Sequence, residues 1–98
     1  MKEQENIDTP WELEQANHFD SAIGYYELGL LDEAEAELNK IAFAAESVPV
    51  IALRLGIAYS RNEWNEMKAL ARRLHLLDPS NHQWSFADGY STAKIDSD

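Results

Sequence analysis

Ninety-eight residues suit one small domain with short tails, and a 45% hydrophobic content with three tryptophans supplies a core. The net charge of -10 argues against neutralising nucleic-acid phosphates, and no apolar run reaches the roughly 20 residues of a membrane span, nor does the N-terminus resemble a signal peptide. The absence of cysteine removes disulfides, thiolate metal sites and thiol nucleophiles, and fits a reducing compartment, so the expected location is cytoplasmic.

Residues 1–8 are polar and unpatterned and read as a disordered tail. Thr9-Pro10-Trp11-Glu12 then forms a helix start, with a Thr cap, proline at the first helical position and a glutamate that closes a capping box. Trp11, Ala16, Phe19, Ala22, Ile23, Tyr26 and Leu30 recur at helical spacing, and Gly29 ends the element. After a tight turn in which Asp32 is a candidate cap, Ala34, Leu38, Ile41, Ala42 and Ala45 predict a second helix to about Ser47.

Pro49 opens a third helix whose Ile51, Leu53, Leu55, Ile57, Ala58 and Tyr59 are apolar on more than one face, as in the middle of a stack. Asn62-Glu63 breaks it. Trp64, Met67, Ala71, Leu74 and Leu77 form the next stripe, with Lys68, Arg72 and Arg73 outside it, until Asp78-Pro79-Ser80-Asn81 stops the helix. From His82 to about residue 94, Trp84, Phe86, Ala87 and Tyr90 suffice for a helix covering helices three and four, with Ile95 just beyond; Gly89 weakens it by about 1 kcal/mol relative to alanine. Residues 95–98 read as a second disordered tail.

The sequence repeats. Ala22 falls on Gly56 and Tyr25 on Tyr59 at a shift of 34, whereas Leu31 falls on Trp64, Leu38 on Ala71 and Ile41 on Leu74 at a shift of 33, which implies one residue missing from the second turn. Two helices per unit with this period resemble the tetratricopeptide repeat family over about residues 15–81, with units at about 15–47 and 48–81 and a capping helix at about 82–94. The expected fold is therefore all-α, an antiparallel helix-turn-helix array of four helices plus the cap. His18 and Ser21 depart from the family's large apolar residues, Met67 from a small one, and Glu63 stands at the turn glycine.

The resemblance implies that the first helix of each unit lines a concave face accepting a partner's peptide or helix. Carried onto this chain, the groove positions are Phe19, Ile23, Tyr26 and Glu27, then Val50, Leu53, Ile57, Ser60 and Arg61. Phe19, Ile23, Leu53 and Ile57 also suit a plain core, and a groove of this kind can be closed by a second copy of the chain in a homodimer. The family's lysine and asparagine clamp for acidic tails is not recognisable, since helix one offers Asn17 and no lysine.

No acid/base pair, phosphate loop or nucleophile elbow is visible, so an enzyme is not expected, nor a cofactor or metal. His18, His75 and His82 form no metal motif; Glu33, Glu35 and Glu37 diverge by about 200° per step and read as a solvated face. Arg72-Arg73 reads as helix C-terminal charge, and Trp64 and Trp84 as packing anchors. Charge is uneven: residues 1–47 hold twelve acids against Lys2 and Lys40, while residues 48–98 hold six of each sign. The functional expectation is a protein-interaction adaptor or scaffold. Its alternatives are a self-associating module and a small regulatory or ligand-binding helical domain.

Overall fold

The computed structural model describes residues 10–42 and 46–97, with side chains from Leu13 onward. The Thr9 cap, the Trp11 side chain, Ala45 of the second stripe and the expected tail at 1–8 lie outside that description. Five helices follow in order: α1 (Pro10–Glu27), α2 (Leu31–Leu38), α3 (Val48–Ser60), α4 (Trp64–Leu77) and α5 (His82–Asp96). No strand occurs among the described residues, and no helix of theirs is long and apolar enough to cross a membrane. The chain divides into two units, Met1–Glu46 and Ser47–Asp98.

In the first unit α1 packs on α2. Ala22, Ala34 and Leu38 are wholly buried and Ile41 nearly so. Methyl-sized side chains at Ala22 and Ala34 let the helices approach closely, and Leu38 fills the remaining volume. No side chain caps α2: Asp32 and Glu33 instead place negative charge in its first turn, where the helix dipole favours it.

Helix α2 ends at Leu38, well short of Ser47. Its last bonds tighten to three-residue steps, Lys40 N–H donating to the Glu37 carbonyl and Ile41 N–H to the Leu38 carbonyl. The next donor, Ala42 N–H, is taken by Gln15 Oε1 on α1 at 2.7 Å. A tertiary acceptor thus replaces the next helical carbonyl while Ile41 turns into the core.

The second unit is larger. Ile51, Ala58, Met67, Leu70, Ala71, Leu74, Trp84 and Ala87 form one buried cluster from α3, α4 and α5, flanked by partly buried Val48, Ala52, Leu55, Trp64 and Tyr90. On α4 the buried positions are Met67, Leu70, Ala71 and Leu74, a stripe of three- and four-residue steps. Leu77, expected to continue it, is 55% exposed because the chain leaves the helix at Asp78-Pro79.

Helix α5 starts at an Asn81 cap whose Oδ1 accepts from Gln83 N–H at 2.9 Å, and it runs to Asp96. It buries Trp84, Ala87 and Ser91, again one stripe. Ser91 is tolerated there because its hydroxyl donates back to the Ala87 and Asp88 carbonyls. Phe86, two residues from Trp84 and so on another face, stays outside the core.

The two hairpin turns match residue for residue. Leu28-Gly29-Leu30 and Arg61-Asn62-Glu63 each connect two helices, with positive φ at the centre, 79° at Gly29 and 59° at Asn62. Leu30 N–H donates to the Tyr25 carbonyl at 2.9 Å, and Glu63 N–H to the Ala58 carbonyl at 2.9 Å; Ala34 N–H to Leu30 and Met67 N–H to Glu63 repeat the agreement. The shift of 33 therefore runs through the turn, no residue is missing there, and Asn62 rather than Glu63 takes the place of the glycine. Asparagine tolerates this left-handed conformation better than most residues.

Nothing lies within 4 Å of a Cβ built on Gly29, so its replacement is opposed by backbone conformation alone. Gly29→Ala and Asn62→Ala should each cost about 1 kcal/mol, with Asn62→Gly close to neutral. Urea unfolding midpoints of the three variants check this.

Candidate functional site

Polar contacts join α1 to α2 in the first unit and α4 to α5 in the second. In the first unit, His18 Nδ1 on α1 stands 3.0 Å from Glu37 Oε1 on α2, and Lys40 Nζ donates to Glu37 Oε2 at 2.9 Å. Lys40 first and His18 second hold the Glu37 carboxyl below its ordinary value. Glu37 therefore does not belong to a solvated glutamate face: His18 on the neighbouring helix is its partner.

In the second unit, Asp88 on α5 faces α4. Its Oδ1 lies 3.2 Å from Lys68 Nζ and its Oδ2 accepts from Arg72 Nε at 3.4 Å. Lys68 also donates to Thr92 Oγ1. Burial acts to raise the Asp88 carboxyl, but Lys68 and then Arg72 outweigh it and hold the group below its ordinary value. Arg72 is thus a link to α5 rather than terminal helix charge.

The sign of the linkage follows. Asp88 titrates lower in the folded chain than in the unfolded one, so its stabilisation is complete above the unfolded value and disappears as pH falls through the folded one. Asp88→Asn should be less stable at neutral pH and should flatten the acid limb of a stability profile. Urea unfolding of both proteins between neutral pH and pH 3 measures it.

Two concavities open on the second unit. One, of about 450 Å³, is lined by Tyr59, Ser60, Asn62, Trp64, Tyr90, Lys94 and Ser97. The α3–α4 turn sets Tyr59 and Trp64 five residues apart, their ring centroids 6.1 Å from each other at 66°, and α5 brings Tyr90 within 5.9 Å of Tyr59 and 5.8 Å of Trp64. Tyr59 remains 49% exposed. The Lys94 ammonium lies 5.6 Å from the centroids of both Trp64 and Tyr90, within cation–π range.

The second concavity, about 430 Å³, lies along α4 and α5 and is lined by Arg72, His75, Leu76, Trp84, Ser85 and Asp88. Leu76, on α4, is 81% exposed; Phe86, on α5, is 74% exposed and its ring stacks on Tyr90 of the first cleft, centroids 6.4 Å apart. The indole Nε1 of Trp84 donates to Asp78 Oδ2 at 3.1 Å, which fixes the ring at the base of α5. Leu76 and Phe86 are apolar side chains with no core to enter.

The nine groove positions are distributed differently. On α1, Phe19, Ile23 and Tyr26 are half-buried and Glu27 is exposed; on α3, Val50 and Ile57 are withdrawn from solvent, Leu53 is half-buried and Ser60 is exposed, and Arg61, half-buried, stands in the turn after it. Of these, Ser60 lines the aromatic cleft. The cleft's other residues come from α3, the α3–α4 turn, α4 and α5, and spacing within single helices cannot assemble them. Among the described residues, no three His, Asp or Glu side chains gather where they could hold a metal ion. Comparison with family models, with curated proteins and with solved structures finds no match to this chain.

Proposed function

We propose that this chain is a protein-interaction module of the helical-repeat type, similar to tetratricopeptide repeats, that receives a helix or extended peptide of a partner protein. The observation that carries the reading is apolar surface without a core to enter: Leu76 and Leu77 are 81% and 55% exposed, and Leu76 borders the groove that Trp84 and Ser85 line on α5. Groups of exposed large apolar side chains mark interaction sites on small domains. The equivalent turns at a shift of 33 support the repeat. The docking surface proposed is therefore on α4 and α5, and the mixed charge of residues 48–98 provides a polar rim.

Photo-crosslinking in the native cell tests this. A photoreactive residue in place of Leu76 should capture one defined partner; the same residue at exposed Glu66 should not. Ser85→Glu, in the same groove, should reduce the capture at least about tenfold, as expected when a charge is buried in an apolar contact. Equal labelling from both positions would remove the proposal. A crosslink joining two copies of the chain would replace it with self-association.

A further inference from the structure

The aromatic cleft has a composition of its own. Among its described lining residues the single charge is the Lys94 ammonium, in a chain that carries 18 acidic residues, and the remaining polar groups are the hydroxyls of Ser60 and Ser97, the tyrosine hydroxyls and the Asn62 amide. Lys94 meets two ring faces and, among the described residues, no carboxylate. The walls are rings already set edge-on to one another, with Tyr59 half open to solvent.

We infer that this cleft is a binding site for a small planar aromatic carboxylate. The volume of about 450 Å³ falls within the range of about 300–1,000 Å³ typical of small-molecule pockets. A flat ligand ring gains by stacking on the open part of Tyr59, and its carboxylate takes the Lys94 ammonium together with the neutral donors of Ser60 and Asn62. One cation with neutral donors matches a single negative charge; a phosphate dianion would ask for a second cation. A cationic ligand meets repulsion from Lys94 and finds no acid in the described lining. The site is separate from the α4–α5 groove proposed for protein binding, since the two share no lining residue.

The probe is 2-naphthoate, titrated into the full chain with amide and indole resonances followed by NMR. The expected result is saturable shifts at Ser60, Asn62, the Trp64 indole and Lys94, with 2-naphthamide and cyclohexanecarboxylate each at least about tenfold weaker. Lys94→Gln, at an exposed position, should remove the preference for acid over amide, and Tyr59→Ala should weaken both; circular dichroism checks that each variant is folded. Ser85→Glu, in the α4–α5 groove and outside the cleft, should bind the probe as the parent does, whatever becomes of the protein partner. Equal affinity for acid and amide, tighter binding of trimethylanilinium, shifts centred elsewhere, or no saturation by about 10 mM would each overturn the inference.

Discussion

Trp84→Ala should lower the unfolding free energy by about 3–5 kcal/mol, the loss expected for truncating a buried aromatic side chain. A unit of this size is stabilised by only roughly 3–8 kcal/mol in total, so the variant should lose most of its cooperative unfolding transition. Trp84 concentrates two roles: it packs in the cluster with Ile51, Met67, Leu70 and Leu74, and its indole N–H holds Asp78 across the α4–α5 turn. Trp84→Phe separates them, keeping much of the apolar volume and losing the hydrogen bond, at about 1 kcal/mol beyond the volume change. Urea unfolding of the two variants decides: equal losses would show that the hydrogen bond, not packing, dominates.

Leu38→Ala should cost about 2–5 kcal/mol in the first unit, as for a fully buried leucine. Leu38 is fully buried, and its buried apolar companions there are Ala22, Ala34 and Ile41. Two of those are alanines, whose methyl groups cannot swing inward to fill the space. Hydrogen exchange should show the amides of α1 and α2 losing protection by at least about thirtyfold. Protection retained within about threefold would mean that α1 and α2 are held by something other than this core.

Much of the helix layout is legible in the residues. Proline at 10, 49 and 79, glycine at 29 and asparagine at 81 stand at helix boundaries, and the three- and four-residue steps of Met67, Leu70, Ala71 and Leu74 declare the buried face of α4. The second helix was the exception. Nothing in Asn39-Lys40-Ile41-Ala42 is a helix breaker; α2 stops because Gln15, 27 residues earlier, takes the Ala42 N–H. A stop made by a distant side chain leaves no local trace.

Charge misled in the same way. Lys68, Arg72 and Glu37 lie off the apolar stripes and read as solvated, yet each has a partner on the neighbouring helix, Asp88 for the first two and His18 for the last. Long side chains reach laterally from the edge of a buried face, so position on a helical wheel does not tell solvent from a cross-helix partner. The turn register misled for another reason. Tyr25 and Tyr59 align by identity at 34, but hydrogen bonding and positive φ place Tyr26, not Tyr25, at the position equivalent to Tyr59. Identity counts chemical likeness, whereas a turn is defined by which carbonyl each N–H reaches.

The sequence by itself determined the helical class, the number of helices and most of their ends, because local periodicity, prolines and turn residues act within a few positions along the chain. Only the tertiary structure decided where α2 stops, which charged groups are paired, and that Tyr59, Trp64, Tyr90 and Lys94 from three elements share one cleft. Those outcomes depend on contacts between residues 16 to 31 positions apart, which the periodicity of a single helix cannot encode.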